Sequence, residues 1–287
     1  MRIAIIGVGG LGGTLAAMLS RAGHEVVAIA RGEHLAAIAR DGLRLESEKL
    51  GSITARLHAT DDLSGATGVD AIIVAVKTFQ LADLAGRMPK ARTVLTLENG
   101  VDAAEVLPGS IPGVCMVFGW IAAPGVIQHK GAAPRVLAGP GAEDLCEALR
   151  SSGADAQVVP DIRAALWEKL LFVEPLGAVG AASRSPAGVI RAVPETRALL
   201  ERAMREVETV ARSLDVAVVK AAVASALNRV DSLPPDSMSS LQRDLRDGRR
   251  SELHELTGAV VGHGRATGVA TPVHDFLYAC LLPQQRG

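Results

Sequence analysis

Short apolar runs alternate with stretches of helical period through the first half of the chain. Residues 3–6, 25–30, 70–76, 92–97, 114–119 and 135–138 are rich in Val, Ile, Leu and Ala, as strands covered on both faces must be. Segments 43–46 and 52–58 flank the polar turn Lys49-Leu50-Gly51 and predict a hairpin, after which the parallel order resumes at Asp70. A second hairpin is expected at Pro124-Gly125. From Leu166 the period is helical throughout. Trp167-Glu168-Lys169 opens one helix, and Pro194 opens another that runs to Leu214. A further helix is expected over 238–246, with a break at Asp247-Gly248 and a restart near Ser251. The pattern predicts an α/β protein: a Rossmann-type, doubly wound domain over residues 1–160, then a helical domain over 161–287.

Gly7, Gly9 and Gly12 stand at G-x-G-x-x-G spacing between the first strand and a helix expected over 14–22 and closed by Gly23. In that context the spacing has a mechanism. It permits a tight strand-to-helix turn, lets the backbone approach a pyrophosphate, and allows close packing of helix on sheet. The run Gly7-Val8-Gly9-Gly10-Leu11-Gly12 is therefore assigned to a dinucleotide, although a glycine-rich turn that binds nothing carries the same letters. Arg2 followed by apolar residues imitates a secretory signal. Glycines cut that run and no small-residue cleavage site follows, so the segment is kept in the mature fold.

At 287 residues and 48% hydrophobic content the chain can bury a substantial core, and with only 2% aromatics that core must be aliphatic. A net charge of −1 without a basic cluster argues against nucleic acid as a partner. Cys115, Cys146 and Cys280 are odd in number and widely spaced, so neither a disulfide framework nor a metal site is expected. No apolar stretch reaches the ~18 residues that span a bilayer. A soluble, cytoplasmic protein without membrane contact is expected. The apolar tail Leu281-Leu282-Pro283-Gln284 leaves a homodimer open.

Ligands of an open parallel sheet bind beyond the carboxyl ends of its strands. Besides the glycine loop, Arg31, Lys77 and Asn99 follow predicted strands at that edge. Arg31 stands where an NAD-specific protein places an acid for the ribose hydroxyls, and its guanidinium suits the extra phosphate of NADPH. A solvated arginine at a strand end is the plainer alternative. Lys77 can meet the same phosphate or another cofactor oxygen, and a surface lysine explains it equally well. The Asn99 amide can bond a ligand or a catalytic group; otherwise Asn99-Gly100 is a turn.

The helical half supplies an acid. Lys169 shares its helix face with Phe172, Val173, Leu176, Gly177 and Gly180. Burial at the head of such an apolar face lowers a lysine's pKa toward that of a useful proton donor, unless the side chain snorkels to solvent. Pro175 predicts a kink in this helix. Ser240 and Glu252 flank the Asp247-Gly248 break. Ser251 as an N-cap places Glu252 in a first turn, where the helix dipole favours its carboxylate.

Taken in order, the glycine run, Ile-Ala-Arg31-Gly, Val-Lys77, Glu-Asn99-Gly-Val, Leu-Trp-Glu-Lys169-Leu, Ser239-Ser240-Leu-Gln-Arg-Asp and Ser251-Glu252-Leu resemble the ketopantoate reductase (2-dehydropantoate 2-reductase) family. The resemblance covers nearly the whole chain. It implies NADPH-dependent reduction of a 2-oxo acid and a helical domain like that of 6-phosphogluconate dehydrogenase. By the match, Lys169 is the proton donor, Glu252 holds the lysine and the developing hydroxyl, Asn99 bonds near the reacting centre, and Ser240 binds the substrate carboxylate. The chain departs from the family where asparagines on and beyond the lysine helix bind the polar end of pantoate. Read without a gap, those positions are Val173, Gly177 and Ala187, a roomier and more apolar face; the resemblance keeps 2-dehydropantoate, reduced to pantoate in pantothenate biosynthesis, as the expected substrate, with a paralogue acting on a more apolar 2-oxo acid as the alternative. A related 3-hydroxyacid or opine-type dehydrogenase, or an NADPH-binding sensor without turnover, are the competing readings.

Overall fold

The computed structural model describes residues 1–285. They form two compact units, one from Met1–Glu98 with Asp102–Ile162, the other from Asn99–Val101 with the chain from Arg163 onward.

The strands of the first unit are β1 (Arg2–Ile6), β2 (Glu25–Ile29), β3 (Leu43–Ser47), β4 (Gly51–Ala55), β5 (His58–Thr60), β6 (Ala71–Val74), β7 (Thr93–Thr96), β8 (Ile111–Ala123), β9 (Val126–Ala138) and β10 (Asp155–Val158). Its helices are α1 (Gly10–Arg21), α2 (Gly32–Asp41), α3 (Leu81–Leu84), α4 (Ala103–Val106) and α5 (Glu143–Ser151). The strands form one sheet in the order β4-β3-β9-β8-β7-β6-β1-β2-β5, with β10 paired to β9. Within it β5-β2-β1-β6-β7-β8 pair in parallel throughout. This is the doubly wound order, in which the chain builds outward from β1 on one side and returns to build from β6 on the other.

The apolar strands earn their composition by alternation. Ile3 and Ile5 of β1, Val26 and Ala28 of β2, and Ala71 and Ile73 of β6 join one core, with Leu15, Met18 and Leu19 of α1 and Leu145 and Leu149 of α5. Their neighbours Ala4, Ile6, Val27, Ile29, Ile72 and Val74 join a second core with Leu81 and Leu84 of α3 and Ala103 of α4. A strand with period-2 side chains and helices on both faces has no position left for a polar residue.

Both expected hairpins form as antiparallel pairs, β3–β4 and β8–β9. The first is shorter than the sequence indicates. Its second strand ends at Ala55, and residues 58–60 form the separate strand β5, whose backbone pairs with the outer edge of β2. The parallel order therefore resumes before Asp70, because β2 would otherwise leave its edge groups unpaired. Strand β10 and helix α5 are additions that the sequence pattern did not single out.

The second unit is helical: α6 (Ile162–Ser183), α7 (Ala187–Ala192), α8 (Pro194–Ser213), α9 (Ala222–Ser232), α10 (Ser240–Arg246), a π-helical turn (His254–Gly258), α11 (Ala259–Thr267) and α12 (Pro272–Leu281). Helix α6 begins at Ile162, earlier than the expected start at Trp167, because Ile162, Leu166 and Leu170 are buried at four-residue spacing. It continues through Pro175 as one helix, although the ring denies the Leu171 carbonyl its usual donor. Helix α10 starts at Ser240, where the Ser239 hydroxyl accepts from the Gln242 N–H at 3.1 Å. Leu281 is fully buried in the helical core while Leu282 is exposed, so the apolar tail is partly consumed within the chain. Among the described residues, no helix is long and apolar enough to cross a membrane, and no group of His, Cys, Asp and Glu could hold a metal ion.

Candidate active site

In the first unit the glycine run lies at the switch point, between β1 and α1 and beside the end of β6. Gly7 turns the chain with φ +97°, and a Cβ there would stand 2.7 Å from the Ala75 carbonyl and the Val76 nitrogen. Only glycine passes this point. A Cβ at Gly12 would overlap the Gly7 carbonyl oxygen, and one at Gly10 the Gly119 carbonyl of β8, so both bring α1 against the sheet. Gly9 differs. A Cβ there would meet nothing within 4 Å, and it caps α1 without a side-chain bond. The three glycines thus differ in kind, with a tight turn at Gly7, open backbone at Gly9 and helix packing at Gly12, which is the division a dinucleotide fingerprint requires. The helix starts at Gly10, earlier than the expected Thr14, which puts its free N–H groups inside the glycine run.

A residue the pattern did not reveal braces this loop. The Gly125 N–H of the β8–β9 turn donates to His34 Nδ1 at 3.0 Å, so the ring proton sits on Nε2 and donates to the Val8 carbonyl at 2.8 Å. Burial lowers the His34 pKa, against the smaller opposite pull of the Val8 bond. Arg31 is exposed immediately after β2 and precedes α2, where its fork is free to meet an anion in solution. Lys77 follows β6 at the head of a short 3-10 turn, its N–H held by Gln80 Oε1 at 3.1 Å.

In the second unit Lys169 is 6% and Glu252 2% exposed. The Asn99 amide donates to Glu252 Oε2 at 3.0 Å, joining the chain after β7 to the segment after α10. Glu252 does not lie in a first turn capped by Ser251. The Ser251 hydroxyl donates to Gln285 Oε1 and its carbonyl accepts from Gln285 Nε2, and the helical path restarts only at His254, as a π-turn. Its carboxylate is held by an amide and not by a helix dipole. Beside it, Glu255 is half-buried, and burial raises its pKa, with the Glu252 charge adding to the effect.

The three positions that depart from the family's asparagines are not alike. Val173 is half-exposed one turn beyond Lys169. Gly177 is buried, and a Cβ there would stand 3.1 Å from the Ser239 hydroxyl and 3.3 Å from Leu241, so α10 occupies the space. Ala187 is 1% exposed and its N–H bonds the Ser237 carbonyl at 2.9 Å. The roomier pocket expected from Gly177 and Ala187 is therefore not present within this unit: small residues there admit neighbouring backbone and side chains. Ser240 is half-exposed in the first turn of α10.

A glycine turn from strand to helix at the switch point of a doubly wound sheet, in a chain that continues into a helical unit with buried lysine and glutamate, is an arrangement compatible with a nicotinamide-dependent oxidoreductase. The family model described as ketopantoate reductase PanE/ApbA matches residues 3–142, and that of its C-terminal domain matches 161–285. The chain belongs to the ketopantoate reductase family. It is 30% identical over 291 residues to the 2-dehydropantoate 2-reductase of Halobacterium salinarum, covering 95% of each chain. The structure of a PanE/ApbA family ketopantoate reductase from Ralstonia eutropha JMP134 superimposes with a TM-score of 0.92 at 30% identity, over 99% of this chain and 98% of that one. The 2-dehydropantoate 2-reductase of Geobacter metallireducens GS-15 does so with a TM-score of 0.91 at 27% identity, over 99% of each.

Proposed function

We propose that the protein reduces 2-dehydropantoate, or a close 2-oxo acid, to the 2-hydroxy acid with NADPH. The observation that carries this reading is the bond from Asn99 to buried Glu252 in a unit that also buries Lys169, within a chain of this family. NADPH, when bound, supplies the hydride. The Lys169 ammonium donates the proton to the carbonyl oxygen, on which negative charge develops as the carbon is reduced. Glu252 holds that ammonium, and Asn99 keeps the carboxylate oriented. Ser240 bonds the substrate carboxylate. The backbone from Gly7 through Val8, Gly9, Gly10 and Leu11 to Gly12 holds the pyrophosphate, Arg31 takes the 2′-phosphate, and Lys77 a further cofactor oxygen.

Half-exposed Val173 near Lys169 favours a second substrate reading, a 2-oxo acid with an apolar side chain, since it offers a substrate hydroxyl no partner. One assay separates the readings: purified protein and NADPH with ketopantoate and a panel of 2-oxo acids, followed as loss of nicotinamide absorbance. Ketopantoate is expected to be turned over. No oxidation with any 2-oxo acid would instead identify a cofactor-binding protein without this activity.

A further inference from the structure

Five residues beyond Lys169 in the sequence, Glu174 lies in the core of the helical unit with no exposed surface. Its Oε1 accepts from the Thr257 hydroxyl at 2.7 Å, and its Oε2 accepts from His274 Nε2 at 2.7 Å. The other ring nitrogen of His274 donates to Glu206 Oε2 at 2.7 Å, and the Glu206 carboxylate also accepts from the N–H groups of Val273 and His274. A ring that donates from both nitrogens to carboxylates is an imidazolium. One connected network thus ties α6, α8, the π-turn and the start of α12.

Stability alone is a poor reason for such a network. Charges taken out of water repay their desolvation only with good geometry, and apolar residues of similar volume often serve as well or better. Position is a better reason. Thr257 stands five residues beyond Glu252, as Glu174 stands five beyond Lys169, so the Glu174–Thr257 bond couples the two segments that carry the proposed proton donor and its carboxylate. The coupling falls where each segment lacks ordinary helical bonding: next to Pro175 in α6 and inside the π-turn. π-turns recur at functional sites, and a helix that has lost a backbone bond to proline is free to shift unless something pins it.

We propose that Glu174 is a positioning residue for the reduction, pinning the lysine helix to the π-turn through Thr257 and His274 and so setting Lys169 against Glu252. The claim rests on the reductase reading for its kinetic test only. Glu174→Gln keeps the shape and an acceptor for Thr257 while removing the charge that pairs with His274. In that variant kcat is expected to fall about tenfold or more, with the NADPH Kd within about twofold of the parent and the kcat–pH profile displaced. The Lys169 side-chain titration, followed by 13C NMR at Cε, is expected to differ from the parent's. Thr257→Val, which leaves the ion pair with His274 in place, is the second variant: it strips one donor from a buried carboxylate, so Tm is expected to fall by a few degrees with the fold retained and kcat to fall several-fold. Unchanged kcat, pH profile and Lys169 titration in folded Glu174→Gln or Thr257→Val overturns the proposal. If the parent protein reduces no 2-oxo acid, the reductase reading fails, and the Lys169 titration still decides the positioning claim.

Discussion

The two units build their functional regions from different materials. The cradle of the first unit is backbone: Gly7, Gly10 and Gly12 let main chain meet main chain, and Gly9 leaves main chain open to a ligand. The helical unit relies on side chains, burying Lys169, Glu174, Glu252 and His274 among aliphatic residues. A backbone cradle is specified by the absence of atoms, and few of its bonds titrate. A cluster of buried charges is specified by pairing, and changes with protonation and with the loss of any one partner. The contrast says how each region should fail.

The sharpest break is Lys169→Ala, expected to lower kcat by about 10²–10⁴ while NADPH still binds. Near-normal turnover in steady-state assays would take Lys169 out of the reaction and leave the helical unit's charges structural. On the other side of the comparison, Arg31→Ala is expected to weaken NADPH by about 10- to 150-fold and NADH little, measured by fluorescence titration of both cofactors. Equal losses would show that the cradle selects no phosphate at Arg31.

Protonation tests the charged core directly. Burial alone would depress the His274 pKa, but Glu174 and then Glu206 outweigh it and raise the value from 6.5 to about 9. A pKa raised on folding stabilises fully below the unfolded value and is lost as pH rises through the folded one, so this contribution, on the order of 3 kcal/mol, fades between pH 6.5 and about 9. Thermal melts should show Tm falling across that window, and His274→Gln should flatten the fall. An equal slope in both proteins would mean that His274 is not charged.

Gly9→Ala should leave Tm unchanged and weaken NADPH about tenfold, whereas Gly12→Ala should lower Tm because its Cβ meets the Gly7 carbonyl. Identical behaviour of the two variants in melts and titrations would erase the distinction between open and packed glycines. The smallest effect is expected at Val173, where Val173→Asn should shift the kcat/KM ratio by about threefold toward ketopantoate over an apolar 2-oxo acid. A neutral result would place Val173 away from the substrate.

Much of this was legible along the chain because it depends on neighbours in sequence. The doubly wound order, the glycine run, both hairpins, the start of α8 at Pro194 and the break at Asp247-Gly248 all follow from local period, turn chemistry or proline geometry. Where the reading missed, a distant partner decided. The edge of β2 drew residues 58–60 out of the hairpin, Gln285 took the hydroxyl that was to cap a helix at Ser251, and α10 filled the space expected at Gly177.

The sequence by itself therefore determined the fold class, the family and the residue types available for chemistry, since strand alternation, helical period and glycine spacing are written in consecutive positions. Only the tertiary structure decided which of those residues meet. His34 grips Val8 and Gly125, Asn99 holds Glu252 across 153 positions, and Glu174 finds Thr257 and His274 across 83 and 100. A single chain carries no local signal for such bonds, because a hydrogen bond depends on a few tenths of an ångström between atoms that packing, and not adjacency, brings together.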